Sequence, residues 1–204
     1  MLDAKLARVL ITIEGLDGAG KSTLVVGLAK ALEERGERVV VLREPGGVEV
    51  SERIRELLTD PALAIDARAE ALLYAAARAQ LVAEQLRPRL EAGETVLLDR
   101  FIDSSLAYQG AGRGLGVEEI RALNAFGTGG LTPDRTLLLR IDPSAGLGRI
   151  ADRPADRLEQ EDVAFFAAIA AAYDALAASE PERIAVIDAS QSPEAVLSDA
   201  LAAL

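Results

Sequence analysis

Five short apolar runs are spaced along the chain: Val9–Glu14, Val39–Leu42, Val96–Asp99, Thr136–Ile141 and Ile184–Asp188. Each is rich in Val, Ile and Leu with little apolar–polar alternation, the pattern of strands buried on both faces. Between them, apolar residues recur at helical spacing over Ser22–Arg35, Ser51–Leu58, Ala67–Ala92, Val117–Phe126, Ala145–Ala151, Asp162–Ala178 and Pro193–Ala203. The alanine-rich stretch "FFAAIAAAYDALAA" keeps that period and reads as ordinary helix. Strand and helix alternate throughout, which predicts an α/β fold with a parallel sheet covered by helices on both faces. No linker or repeat divides the chain, so residues 1–204 read as one domain. In such sheets ligands gather at the carboxyl ends of the strands. The residues to inspect therefore begin at Gly15, Arg43, Asp99 and Asp142.

Composition narrows the chemistry. The 204 residues are 50% hydrophobic, enough for a sizeable core. A net charge of -11 at pH 7 argues against general binding to nucleic acid or an anionic membrane surface, because phosphate would be repelled. A single nucleotide needs only a local cluster of arginines. The chain has no Cys, hence no disulfide or thiol chemistry, and no His, which removes the commonest general base and zinc ligand. No uninterrupted apolar stretch is long enough to cross a bilayer, and "MLDAKLARVLITIEG" carries no small-residue cleavage site. These features predict a soluble cytoplasmic protein with neither nucleic acid nor membrane as partner.

The first strand runs into "GLDGAGKS", Gly15 to Ser22, which fits G-x-x-x-x-G-K-[ST] between a strand and a helix. Glycines let successive backbone N–H groups turn inward around an anion, and the following helix presents its positive end to the same point. Lys21 then reaches the outer phosphates and the Ser22 hydroxyl is placed to ligate Mg²⁺. Phosphate binding alone leaves a GTPase switch, an ATP-driven motor, a small-molecule kinase and an inert nucleotide-binding module open. No Asn-Lys-x-Asp signal for guanine is present. The third strand ends "VLLDRF", an Asp followed by Arg where motors usually carry paired acids. An arginine there suits a second phosphorylated ligand and favours a kinase acting on a small phosphate-bearing acceptor.

Further stretches resemble the bacterial thymidylate kinase family: "EGLDGAGKST", "LREPGGVEVSERIRELL", "EALLYAAARAQLV", "DRFIDSSLAYQGAGRG", "LNAFGTGGLTPDRTLLLRIDP" and "ADRLEQEDVAFF". The resemblance implies a P-loop nucleoside monophosphate kinase fold, with a five-stranded parallel sheet in the order 2-3-1-4-5 and a lid at about 148–160. It also implies ATP- and Mg²⁺-dependent phosphorylation of dTMP to dTDP, and a homodimer formed through helices such as Ala67–Ala92. A kinase for dUMP or dCMP and a non-catalytic nucleotide-binding module remain the alternatives.

The resemblance assigns roles residue by residue. Gly15, Leu16, Asp17, Gly18, Ala19, Gly20, Lys21, Ser22 and Thr23 would hold ATP, with Arg149 near adenine. Tyr74 would stack on thymine, and Arg78, one helical turn later, would reach O4. Ser105 and Gln109 would complete the base edge, and Tyr108 would fill the space a ribose hydroxyl needs. Arg100 would hold the acceptor phosphate, supported by Arg43 and Arg55, since a planar fork suits bidentate phosphate recognition. Glu44, Pro45 and Ser104 belong to the same pocket, with a cis bond before Pro45; Ser104 read alone is also a helix cap. Asp17 and Asp99 are carboxylates whose metal and acceptor roles the sequence does not separate. The phosphate loop has no arginine, so Arg149, Arg153 and Arg157 are the candidates for the catalytic lid arginine, with Glu159 as a lid carboxylate. Two departures stand out: Ala151, where some relatives carry arginine, and Arg140, where relatives often have an acid.

Overall fold

The computed structural model describes residues 9–150, 152 and 154–204. One sheet contains β1 (Leu10–Gly15), β2 (Val39–Arg43), β3 (Thr95–Asp99), β4 (Arg135–Arg140) and β5 (Ile184–Asp188). All four pairings are parallel and the order is β2-β3-β1-β4-β5, as the resemblance implied. The apolar runs placed every strand within one residue of its observed bounds. Burial on both faces holds for the inner strands and fails at the edges, where Val41 of β2 is 48% exposed and Val186 of β5 is 38% exposed.

Around the sheet lie α1 (Lys21–Glu34), α2 (Glu49–Thr59), α3 (Ala67–Leu81), α4 (Arg87–Glu91), α5 (Ile102–Ser105), α6 (Val117–Thr128), α7 (Pro143–Arg149), α8 (Val163–Ser179) and α9 (Pro193–Ala202). Asp66, Asp142, Asp162 and Ser192 cap α3, α7, α8 and α9 by accepting from backbone N–H groups of the first turn. Successive strand residues point to opposite faces. Ile11, Ile13 and Leu97 thus join the core beneath α1, α8 and α9, while Leu10, Val96 and Leu98 join a second core with Leu81, Leu86 and Phe101.

Two segments differ from the expectation. The helix predicted over Ala67–Ala92 is interrupted by a π-helical turn at Val82–Leu86 before α4. Pro88 lacks the N–H that a regular helix would send back four residues, and the chain widens so that Arg87 N–H donates to Val82 instead. The second is α5, which continues into a π-helical segment, Leu106–Gly112. The sequence pattern predicts no helix over this stretch, and the wider turn accommodates the glycines of "QGAGRG". Ser104 sits inside α5, so it is not a cap. Arg140 pairs with Asp174 at the surface, 2.7 Å away, and leaves β4 intact. Among the described residues no helix is long and apolar enough to cross a membrane.

Candidate active site

β1 ends at Gly15 and the chain turns into α1 through Leu16–Gly20. Gly18 has φ 78°, and a Cβ there would lie 2.0 Å from the carbonyl oxygen of Gly146 in α7. Gly146 is closed in turn, since its Cβ would lie 2.7 Å from the Asp17 carbonyl oxygen. Loop and α7 therefore touch backbone to backbone, and only glycine fits on either side. The motif pointed to Gly18; nothing local marks Gly146.

Lys21 opens α1. Its Nζ donates to the carbonyls of Gly15 at 3.1 Å and Leu16 at 2.9 Å, and lies 3.8 Å from Asp17 Oδ1. Burial, reinforced by the nearby Arg100 charge, brings the Lys21 pKa down to about 8 against the pull of Asp17. Arg100 follows the end of β3 with φ 68°, a left-handed backbone that is uncommon for a residue with a side chain. Its Nη1 donates to the Gly15 carbonyl at 3.0 Å and Ser104 Oγ at 3.2 Å. Its Nη2 donates to Asp17 Oδ1 at 2.6 Å and the Tyr108 hydroxyl at 3.3 Å. Burial opposes ionisation of Asp17, but Arg100 and Lys21 outweigh it and hold the pKa at about 2. Burial likewise opposes the Arg100 charge, and Asp17 reverses that effect.

The residues expected for the acceptor, from Asp17 through Glu44, Tyr74 and Arg78 to Gln109, line one cleft of about 610 Å³ with its open mouth included, except Arg43, which was expected to support the acceptor phosphate and lies outside it. Thr59, Asp156 and Leu158, which the sequence reading did not name, complete the wall. A second cleft of about 1000 Å³ lies over the loop, lined by Gly18, Gly20, Lys21, Ser22 and Thr23 with Asp99, Arg43 and Arg149. Asp17, Glu44, Arg55 and Arg100 line both, so Lys21 and Arg100 face a common space. Gly15 and Leu16 line a different cavity, beside Tyr173 and Asp174, and the Ala19 side chain is buried in the core.

Arg78 is a hub. It is 1% exposed; Nε donates to Glu44 Oε2 at 2.8 Å, Nη1 to Ser105 Oγ at 2.8 Å and Asn124 Oδ1 at 2.5 Å, and Nη2 to the Phe101 carbonyl at 2.9 Å. Glu44 is buried too, and its Oε1 has no partner; burial raises its pKa despite Arg78. The Glu44–Pro45 bond is cis. Arg43 forms a two-bond fork with Glu52, and Arg55 donates to the Pro45 carbonyl at 3.0 Å.

The two described arginines of the expected lid, Arg149 and Arg157, diverge. Arg149 donates to the carbonyls of Gly18 at 3.3 Å and Ala189 at 3.1 Å, across the second cleft. Arg157 instead donates to the Leu58 carbonyl at 2.9 Å and lies 2.7 Å from Glu70, lining neither cleft. Arg153 and Ala151 lie outside the described residues. Glu159 accepts the Asp156 N–H at 3.0 Å.

For a divalent cation the fitting donors are Ser22 and Asp99, which share the second cleft; Asp99 Oδ1 is buried without a hydrogen-bond partner. Among the described residues no three His, Cys, Asp or Glu side chains cluster as a metal site.

Two acids escaped the sequence reading. Glu14, fully buried at the end of β1, accepts Phe101 N–H at 2.7 Å, Ser104 Oγ at 2.5 Å and the Tyr173 hydroxyl at 2.9 Å, fixing α5 against the loop. Burial, with Asp103 nearby, pushes its pKa up to about 7. The signal available was a charged residue ending an apolar run. Glu70, in the first turn of α3, had no such signal.

A β-strand feeding a glycine loop, a buried lysine at the helix start and two joined clefts lined by arginines match a described family. Residues 13–200 fit the thymidylate kinase family model. The chain is 49% identical to the thymidylate kinase of Deinococcus radiodurans over 197 residues, covering 96% of both chains. It is 49% identical to that of Lactobacillus delbrueckii subsp. bulgaricus over 186 residues, covering 89% of this chain and 88% of the relative. The crystal structure of thymidylate kinase from Ehrlichia chaffeensis superposes with a TM-score of 0.80 at 29% identity, over 96% of this chain and 97% of that one. With family model, sequence relatives and strand order in agreement, this chain belongs to the thymidylate kinase family.

Proposed function

We propose that the protein transfers the γ-phosphoryl group of ATP to dTMP, with dTMP in the first cleft and ATP in the second. The observation that carries this reading is the shared wall: Arg100 and Asp17 line both clefts, and Lys21 lines the one over the loop. Lys21 neutralises the outer phosphates of ATP, and Arg100, with Arg55, receives the acceptor phosphate. That phosphate carries nearly two negative charges at neutral pH, so it needs no general base to act as nucleophile. One of its oxygens bonds to the γ-phosphorus while the bond to the β–γ bridging oxygen breaks, and ADP leaves. Ser22 and Asp99 would hold Mg²⁺, which when bound neutralises charge on the donor phosphates.

Tyr74, Arg78, Ser105 and Gln109 read the base. Tyr108, held by Arg100 and Asp17, excludes a ribose hydroxyl by occupying its space. Of the two described lid arginines, Arg149 has the contacts that support a role over ATP, because it bridges the loop and the segment after β5. Residues at about 148–160 act as the lid, and water exclusion on closure strengthens these charge interactions.

The proposal includes a homodimer. Its support is the exposure of Leu72 on α3, 58%, and Phe126 on α6, 89%, two large apolar side chains left to solvent on helices that pack together. Sedimentation velocity should give twice the chain mass; a monomer at micromolar concentration would remove the dimer.

Turnover of dTMP, dUMP and dCMP with ATP, read as ADP release, tests the activity. The proposal predicts dTMP as the preferred acceptor. Equal rates on all three would defeat the thymine pocket, and binding of ATP and dTMP without dTDP formation would make the protein a non-catalytic module.

A further inference from the structure

Glu70 stands behind the first cleft, outside its lining and without exposed surface. Its Oε1 accepts from Gln109 Nε2 at 2.9 Å and from Arg113 Nε at 3.2 Å. Its Oε2 accepts from Arg113 Nη2 at 3.0 Å and lies 2.7 Å from Arg157 Nη2. Burial alone would favour the neutral acid, but these donors outweigh it and hold the carboxyl below its usual range. An ionised carboxylate only accepts hydrogen bonds. The Gln109 atom facing it is therefore the amide nitrogen. A flipped Gln109 would set its carbonyl oxygen against the carboxylate at the 2.9 Å now held by the amide nitrogen, two acceptors facing each other in a buried site with no proton between them. Glu70 thus fixes which end of the carboxamide is free, and the free end is the oxygen Oε1. Gln109 lines the cleft together with Ser105 and Arg78.

We propose that Glu70 is a specificity-determining positioning residue. By locking the Gln109 carboxamide it presents an acceptor to the nucleobase edge, and so selects a base with a ring N–H there, as in thymine and uracil, over cytosine, which has a lone pair. The inference rests on the reading of the first cleft as the acceptor site. The same carboxylate anchors Arg157, and Arg113 extends the network to Glu161 at 2.5 Å. The base-reading side chain and the segment around Arg157 share one anchor.

Glu70→Gln replaces the obligatory acceptor with a carboxamide that donates or accepts, leaving Gln109 free to flip. The readout is the ratio of kcat/KM for dTMP to that for dCMP. The expected result is a fall in this ratio of about tenfold or more, because an acceptor aimed at a ring N–H no longer excludes its absence. The change should appear in the acceptor KM, with the KM for ATP little altered. Arg113→Gln removes another partner of Glu70 but spares the bond to Gln109, and should keep the ratio. An unchanged ratio in Glu70→Gln, or an equal fall in Arg113→Gln, would overturn the proposal. Should Glu70→Gln fail to fold, Glu70→Asp keeps a charge for both arginines while drawing the acceptor back from Gln109; a lowered ratio supports the proposal and an unchanged one refutes it. Wild-type enzyme with equal turnover of dTMP and dCMP would instead defeat the acceptor-site reading on its own.

Discussion

Arg100 Nη2 lies 2.6 Å from Asp17 Oδ1, and the same oxygen lies 3.8 Å from Lys21 Nζ. One carboxylate thus links the lysine of the loop cleft to the arginine that spans both clefts. Without it, two cations would face each other in a buried space. With it, each cation has a counter-charge, which for Lys21 partly offsets the burial that lowers its pKa.

The first prediction concerns acid. The Asp17 pKa is depressed from 3.8 to about 2, so its stabilising effect is fully present above the unfolded value and is lost as pH falls through the folded one. The shift corresponds to about 2 kcal/mol. Denaturant unfolding should show wild type more stable than Asp17→Asn by about that amount at pH 7. The gap should close as pH falls from about 4 to about 2. A gap independent of pH would show that the Asp17 charge contributes nothing.

The second concerns base. Free Lys21 has its pKa lowered to about 8, so raising pH through that value removes the charge on which its proposed contact with ATP depends. The kcat/KM for ATP, which reports the free enzyme, should fall above about pH 8. The kcat limb should lie higher, because bound phosphates favour the charged lysine. Lys21→Ala should lower kcat by about 10²–10³-fold, the usual cost of one transition-state donor. A kcat/KM for ATP that stays flat to pH 10 would contradict the burial argument.

The strands and the shared lining of the first cleft were legible because each has a local signature: apolar runs for β1 to β5, and long motifs around Arg100, Tyr74 and Arg78. What stayed hidden depends on contacts between distant segments. Glu70 looks like a solvated helix charge until Arg113 and Arg157 arrive from 43 and 87 residues away. Gly146 is ordinary until the loop presses on it. The π-helical segment carrying Tyr108 and Gln109 was concealed by its own glycines, which favour loops in isolation.

Arg78 shows how the structure alters a test. Arg78→Ala strands the buried Glu44 carboxylate, so it should cost about 3–5 kcal/mol of stability as well as dTMP affinity. Arg78→Lys retains a cation for Glu44 and removes the fork. It should stay folded, raise the KM for dTMP and leave the KM for ATP nearly unchanged. An equal rise in both would take Arg78 out of the base pocket.

Gly18→Ala should separate the loop from α7, since the new methyl carbon meets the Gly146 carbonyl oxygen at 2.0 Å. The expected result is a stability loss of about 1–3 kcal/mol, with ATP binding weakened more than dTMP binding. Thermal unfolding and titration with each nucleotide check this, and a wild-type profile would deny the close approach.

The most direct test of the central claim uses a single molecule in which adenosine and thymidine are joined through five phosphates. If the two clefts open into one phosphoryl path between Lys21 and Arg100, isothermal titration should show it binding far more tightly than ATP or dTMP alone, because the second contact becomes intramolecular. Lys21→Ala and Arg100→Ala should each weaken it. An affinity no better than that of the tighter single nucleotide would mean that the two sites do not meet.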